Sequence, residues 1–249
     1  MISNNLSSGA SSNVSNLKLL NSAILGFGNI YNPINAQISY TALQSTYVHG
    51  QSAINAVDIA LAANTNAKNT RSKSFGSLSK LMTRIGNAFK SIITDESART
   101  QIRSMILLIQ KGRVNPKKTK PAVNAITEDP APAQGSISHK SGYEKQLDNF
   151  SKLIQFLASF PTYKPNEADL SVAGLTAWYN ELALNCQAVI DTQTNLDKSR
   201  RDRENVIYQP VTGLVQLGND SKSYIKSVFG AGSLEYRQIS KIKFTSSTS

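Results

Sequence analysis

The side chains able to do chemistry are concentrated in one stretch. Between residues 64 and 120 stand thirteen Lys and Arg against two acids, Asp95 and Glu96, an excess as large as the net +11 of the whole chain. Lys80, Arg84 and Lys90 can line the polar face of one helix, and Arg99 and Arg103, four residues apart, share a face of the next. Lys111, Arg113, Lys117, Lys118 and Lys120 follow in a Pro-containing segment. Such a patch is an electrostatic footprint for an acidic partner. Phosphate backbones are one class. No nucleic-acid motif accompanies it, and no aromatic residues interleave the charges for base stacking. A basic surface that docks on the acidic face of another subunit or simply keeps the protein soluble ranks first, a protein partner second and nucleic acid third. Glu167, Asp169, Glu181, Asp191 and Asp197 are the candidate acids, offered across a subunit boundary by a second copy.

Other chemistry is sparse. The chain has two His, His49 and His139, and a single Cys, Cys186. No HExxH, CxxC, EF-hand loop, P-loop or GxSxG elbow is present. One Cys cannot form an intramolecular disulfide, and Cys186 falls on an apolar seam, where it reads as a small buried hydrophobe. The carboxylates Glu167/Asp169 and Asp202/Glu204 are two residues apart, which points them away from each other on a helix. Glu167 and Asp169 suit the dipole at a helix start. Gly26/Gly28 and Gly230/Gly232 read as turns. The expectation is a non-enzymatic protein with no catalytic residue, cofactor or metal.

The elements that must position the basic patch come from a duplication. Residues 31–87 and 163–219 repeat at a separation of 132, with eleven coincident residues. Among them are Tyr31/Tyr163, Pro33/Pro165, Ser39/Ser171, Tyr47/Tyr179, Arg71/Arg203 and Gly86/Gly218. Repeats come first in any reading, because missing one mis-assigns the fold. Each copy carries an apolar register spaced 3, 4, 3, 4: Tyr40, Leu43, Tyr47, Gly50, Ile54, Val57, Leu61 in the first, and Val172, Leu175, Tyr179, Leu182, Cys186, Val189, Gln193, Leu196 in the second. That period is helical, and a strand would need period 2. It predicts long helices packed lengthwise. The fold class is all-α: an elongated helical bundle of two tandem pseudo-repeats, with an extended C-terminal segment.

The boundaries follow from composition. Residues 1–15 read as a disordered polar tail. Residues 16–112 form a first half-unit, with a short helix over 17–27, a long helix over 34–69 and further helices over 78–93 and 96–110. Thr94 or Asp95 is the N-cap of the last of these. Residues 113–141 hold four Pro and a Lys cluster and read as a linker. Residues 142–244 form the second half-unit, with a long helix over 166–205, another over 209–228 with Pro210 in its first turn, and a short strand or ordered extended tail over 236–244. Residues 245–249 are a tail that frays from 246. Gly86 and Gly218 mark close helix contact, and Arg71 and Arg203 mark the C-terminal ends of the long helices.

The stretch SYIKSVFGAGSLEYRQISKIKF resembles the C-terminal signature of a set of bacterial proteins without an assigned activity, of the kind found in Bacteroidota. YKPNEADLSVAGL is similar to theirs as well. The resemblance covers roughly the second half of the chain. It implies a bacterial source and no chemistry.

No signal peptide or membrane span is legible, so a cytoplasmic protein or one exported without a leader is expected. The functional expectation is a structural or interaction protein that associates with itself through long amphipathic helices as a homo-oligomer. The alternatives are a nucleic-acid-binding protein using residues 68–120, and a membrane-active protein exposing residues 102–109.

Overall fold

The computed structural model describes residues 3–111 and 142–246, and among them there is no strand. The all-α class is as expected. The helices are α1 (Ser3–Phe27), α2 (Tyr40–Gly76), α3 (Leu78–Ile92), α4 (Glu96–Lys111), α5 (Gly142–Ala158), α6 (Val172–Tyr208), α7 (Leu214–Phe229) and α8 (Leu234–Ser240). Short 3-10 turns at Ala36–Ile38 and Ala168–Leu170 introduce α2 and α6.

The two sequence copies share local geometry. Buried Tyr31 donates its hydroxyl hydrogen to the Ile38 carbonyl at 2.6 Å, and buried Tyr163 does the same to the Leu170 carbonyl at 3.0 Å. The Ser39 hydroxyl accepts from the Ala42 amide at 3.3 Å, and Ser171 from the Gly174 amide at 3.1 Å. These oxygens satisfy amides that the first turn of a helix leaves without partners. Each tyrosine therefore pins the turn that aims a long helix.

Both long helices have 37 residues. Along α6 the expected seam is buried at Leu175, Leu182, Cys186, Val189 and Leu196. Along α2 it holds through Leu43 and Val57, then passes to Ala60 and Asn64, leaving Leu61 exposed. Tyr47 and Tyr179 are both half-buried, each packed on the rim of its own core.

The tandem partition into 16–112 and 142–244 is not what the structure shows. One compact unit is Met1–Thr65 with Thr192–Ser249, and the other is Asn66–Asp191. Each unit therefore takes the first part of one sequence copy and the last part of the other. The first unit holds α1, the start of α2, the end of α6, α7 and α8. Its core gathers Leu17, Leu20, Ile24, Leu43, Ile207, Leu214 and Ile225. Val57, Ala60 and Leu196 form a separate small cluster, and Asn64 donates to Thr192 Oγ1 at 3.3 Å. The second unit holds the end of α2, α3, α4, α5 and the start of α6. Its core gathers Phe75, Met82, Ile85, Phe89, Phe150, Leu157, Leu175 and Leu182. Asn185 there donates to Ser74 Oγ at 2.8 Å.

Several boundaries differ, each for a local reason. Residues 3–15 are part of α1 rather than a tail: Ala10 and Val14 are buried in helical register with Leu17. Buried Asn13 is matched by the 245 end of the chain, donating to the Thr245 carbonyl at 2.9 Å and accepting the Thr245 amide at 2.9 Å. Residue 245, assigned to the tail, is thus anchored. Both long helices outrun their expected ends at 69 and 205, so Arg71 and Arg203 sit five residues inside the termini at Gly76 and Tyr208 and do not cap them. The Arg71 guanidinium lies 4.4 Å over the Tyr143 ring, and buried Arg203 donates to Glu204 Oε1 at 2.6 Å. Pro210 precedes α7 instead of opening it, in a turn where Val211 has φ 73°. Residues 234–240 are helical, the Ser233 hydroxyl accepting the Tyr236 amide at 3.1 Å; Lys241 follows as a turn and residues 242–246 have no regular structure. The expected linker, 113–141, lies outside the described residues.

Gly86 marks close contact between α3 and α4, as expected, whereas Gly218 is approached by Phe244, which lies beyond α8 and in no helix. A Cβ on Gly86 would lie 3.1 Å from Ile106 Cδ1, and one on Gly218 only 2.5 Å from the Phe244 ring. Cys186 is buried, and that burial raises its thiol pKa, in keeping with a packing role.

Burial pushes the Tyr163 phenol up to about 12, from an ordinary 10.0. The folded state then holds a proton that the unfolded chain has lost. Stability is full below pH 10 and falls as pH rises toward 12. Urea denaturation of Tyr163→Phe should show a loss of about 1–2 kcal/mol at neutral pH, from one buried carbonyl deprived of its donor. The alkaline slope should be weaker in that variant.

Candidate functional site

The basic patch rests on two amphipathic helices. α3 buries Leu78, Leu81, Met82, Ile85 and Phe89, which leaves Lys80, Arg84 and Lys90 on its outer side. α4 buries Ala98, Ile102, Ile106 and Ile109 and leaves Arg103 exposed. Asp95 is the N-cap of α4, accepting the Ser97 amide at 2.9 Å.

The structure divides the patch in two. Lys90, Arg99 and Arg103 line a groove of about 460 Å³ between α3 and α4, with Glu96, Ile106 and Leu107. Arg99 is committed to the fold there. Its Nε donates to the Ile93 carbonyl at 2.7 Å, one terminal nitrogen to the Lys90 carbonyl at 2.8 Å, and the other to Glu96 Oε1 at 2.5 Å. The first two acceptors lie at the C-terminal end of α3, where carbonyls lack helical partners. Arg99 thus caps a neighbouring helix.

Lys80 and Arg84 face another groove, of about 580 Å³, together with Leu81, Trp178, Asp169 and Glu181. Arg84 grips Asp169 with both ends of its fork, at 2.5 and 3.2 Å. The guanidinium holds the Asp169 carboxyl below the usual carboxylate range, and the carboxylate in turn raises Arg84. Two of the five acids singled out for the patch meet it within one chain: Asp169 binds Arg84 directly and Glu181 lines the same groove, where a second copy had been expected to supply them. Glu167 and Asp169 also lie before α6, at the 3-10 turn, and not in the first turn of the long helix.

Of the remaining patch residues, Lys111 ends α4, and Arg113, Lys117, Lys118 and Lys120 lie outside the described residues. His49 is exposed on α2. No group of three or more His, Cys, Asp or Glu able to hold a metal occurs among the described residues. Sequence reasoning passed over Trp178, the only Trp of the chain. Its counterpart in the first copy is Thr46, and that divergence at a repeated position was the available signal.

Comparison with protein-family models, with curated proteins and with solved structures finds no match for this chain. No described helix is long and apolar enough to cross a membrane.

The two kinds of cation are separable by mutation. Arg99→Ala should lower stability by about 1–2 kcal/mol, because it strands the carbonyls at the end of α3. Arg103→Ala, at an exposed position, should change it by less than about 0.5 kcal/mol in the same thermal or urea unfolding measurement.

Proposed function

We propose that this chain is a non-enzymatic structural or interaction protein that associates with further copies of itself through its long helices. The observation that carries the reading is the apolar surface left on α2. Val48 is 52% exposed, Ile59 72% and Leu61 46%, on a segment whose own local core is Val57, Ala60 and Leu196. Val48 and Ile59 are eleven residues apart, about three helical turns, and so share a face. α6 likewise exposes Leu184 at 70% and Ile190 at 50%. Single exposed apolar residues are ordinary, but several along one helix favour a partner that covers them.

The attraction in this reading is apolar. Arg84 and Arg99 already have partners within the chain, which also reduces what the patch offers to nucleic acid. Self-association should therefore persist as ionic strength rises, since screening acts on exposed charges and not on buried apolar area.

Light scattering over a dilution series should give a mass above that of the single chain at high concentration. Ile59→Glu should shift the mass toward the single chain while leaving the melting temperature unchanged. A single-chain mass for the native protein at every concentration would refute the reading.

A further inference from the structure

The groove beside Trp178 exists twice. At the repeat separation, Trp178, Glu181, Ser77 and Lys80 correspond to Thr46, His49, Gln209 and Thr212. Those four counterparts line a groove of about 260 Å³ in the other unit, as the originals line the one of about 580 Å³. The duplicated backbone thus builds the same hollow in each unit. The residues have diverged: the smaller groove has Thr46, His49, Gln209 and Thr212, and at the repeat positions of Asp169 and Arg84 the chain has Gln37 and Gln216, which do not line it.

We propose that the groove of the second unit binds a neutral carbohydrate. Its floor is apolar, from Leu81 and the half-buried ring of Trp178. Such a floor suits a ligand with a flat C–H face, and a sugar ring presents one. Its rim is polar and balanced, with Lys80 and Arg84 against Asp169 and Glu181. The carboxylates disfavour a phosphate or another anion, and the cations disfavour a basic ligand. A neutral ligand that both donates and accepts meets neither repulsion.

The Arg84–Asp169 pair supplies the matching geometry. Both side chains are about half exposed, at 52% and 56%. The guanidinium has five N–H donors and uses two of them here, and the carboxylate keeps free lone pairs. Donor and acceptor thus stand side by side at the groove. Adjacent hydroxyls of one sugar can donate to the carboxylate and accept from the guanidinium, with stacking on Trp178 fixing the ring. The groove volume lies within the range of small-ligand sites, roughly 300–1,000 Å³. An ion pair this exposed contributes little to stability, so the fold does not require it.

Trp178 is the sole Trp, so emission excited selectively at tryptophan reports on the groove. The full chain should be titrated to millimolar concentration with cellotetraose, maltotetraose, xylotetraose, mannotetraose and galactotetraose, and separately with inorganic phosphate and a Lys-rich peptide. At least one tetrasaccharide should give a saturable change in emission. Its affinity should fall about tenfold or more in Asp169→Asn and in Arg84→Gln, as expected for a lost charged hydrogen bond, with the melting temperature unchanged. Calorimetry should show the same loss in Trp178→Phe, and Thr46→Ala in the other groove should bind normally. The proposal is overturned if no tetrasaccharide binds, if binding survives the Asp169 and Arg84 changes, or if phosphate or the peptide alone saturates the signal. A variant that melts early is replaced by Lys80→Gln, to which the same criteria apply.

Discussion

Helix length governs this molecule. A 37-residue helix extends about 55 Å at 1.5 Å per residue, far more than one small core can cover. Its apolar stripe must therefore be covered in two places. In the first unit the start of α2 lies with the end of α6, joined by Val57, Ala60 and Leu196 and by the Asn64–Thr192 hydrogen bond. In the second unit the end of α2 lies with the start of α6, through Phe75, Leu182 and Cys186 and the Asn185–Ser74 bond. Each sequence copy is completed by the other, and neither half of the sequence makes a unit by itself.

The two sequence copies share local geometry and differ at the surface. The tyrosine-to-carbonyl bonds and the serine caps are kept in both copies because they aim the long helices. The groove that these elements create is also kept, whereas its lining is not. One copy carries Thr46 and Thr212; the other carries Trp178 and Lys80 at the same repeat positions. Recognition chemistry can change at such positions without disturbing the core, because Lys80, Arg84, Asp169 and Glu181 are all exposed.

What was legible in the sequence was whatever depends on neighbours along the chain. Periodicity gave the helical class and the buried face of α6. Asp95 gave the start of α4, and the paired glycines gave sites of close packing. What was hidden depends on residues far apart in sequence. Residues 3–15 are rich in Ser and Asn, and nothing local tells that Asn13 finds its partner at Thr245. The partition into units was hidden for the same reason, since periodicity shows that a helix needs a partner but not which one. Arg99 looked like its neighbours in the patch, and only the turn between α3 and α4 brings it to the carbonyls of Lys90 and Ile93. The Arg84–Asp169 pair spans 85 residues, so its two halves were seen but placed on different chains.

The central claim is that the start of α2 lies against the end of α6 of the same chain. Crosslinking tests it most directly. With Cys186 replaced by Ala, the double variant Asn64→Cys/Thr192→Cys should be treated with a short bismaleimide at low protein concentration. The account predicts efficient closure of a loop within one chain, seen as a monomer of altered mobility whose digest joins the peptides containing residues 64 and 192. Absence of that link, or a link found only between chains, would contradict it.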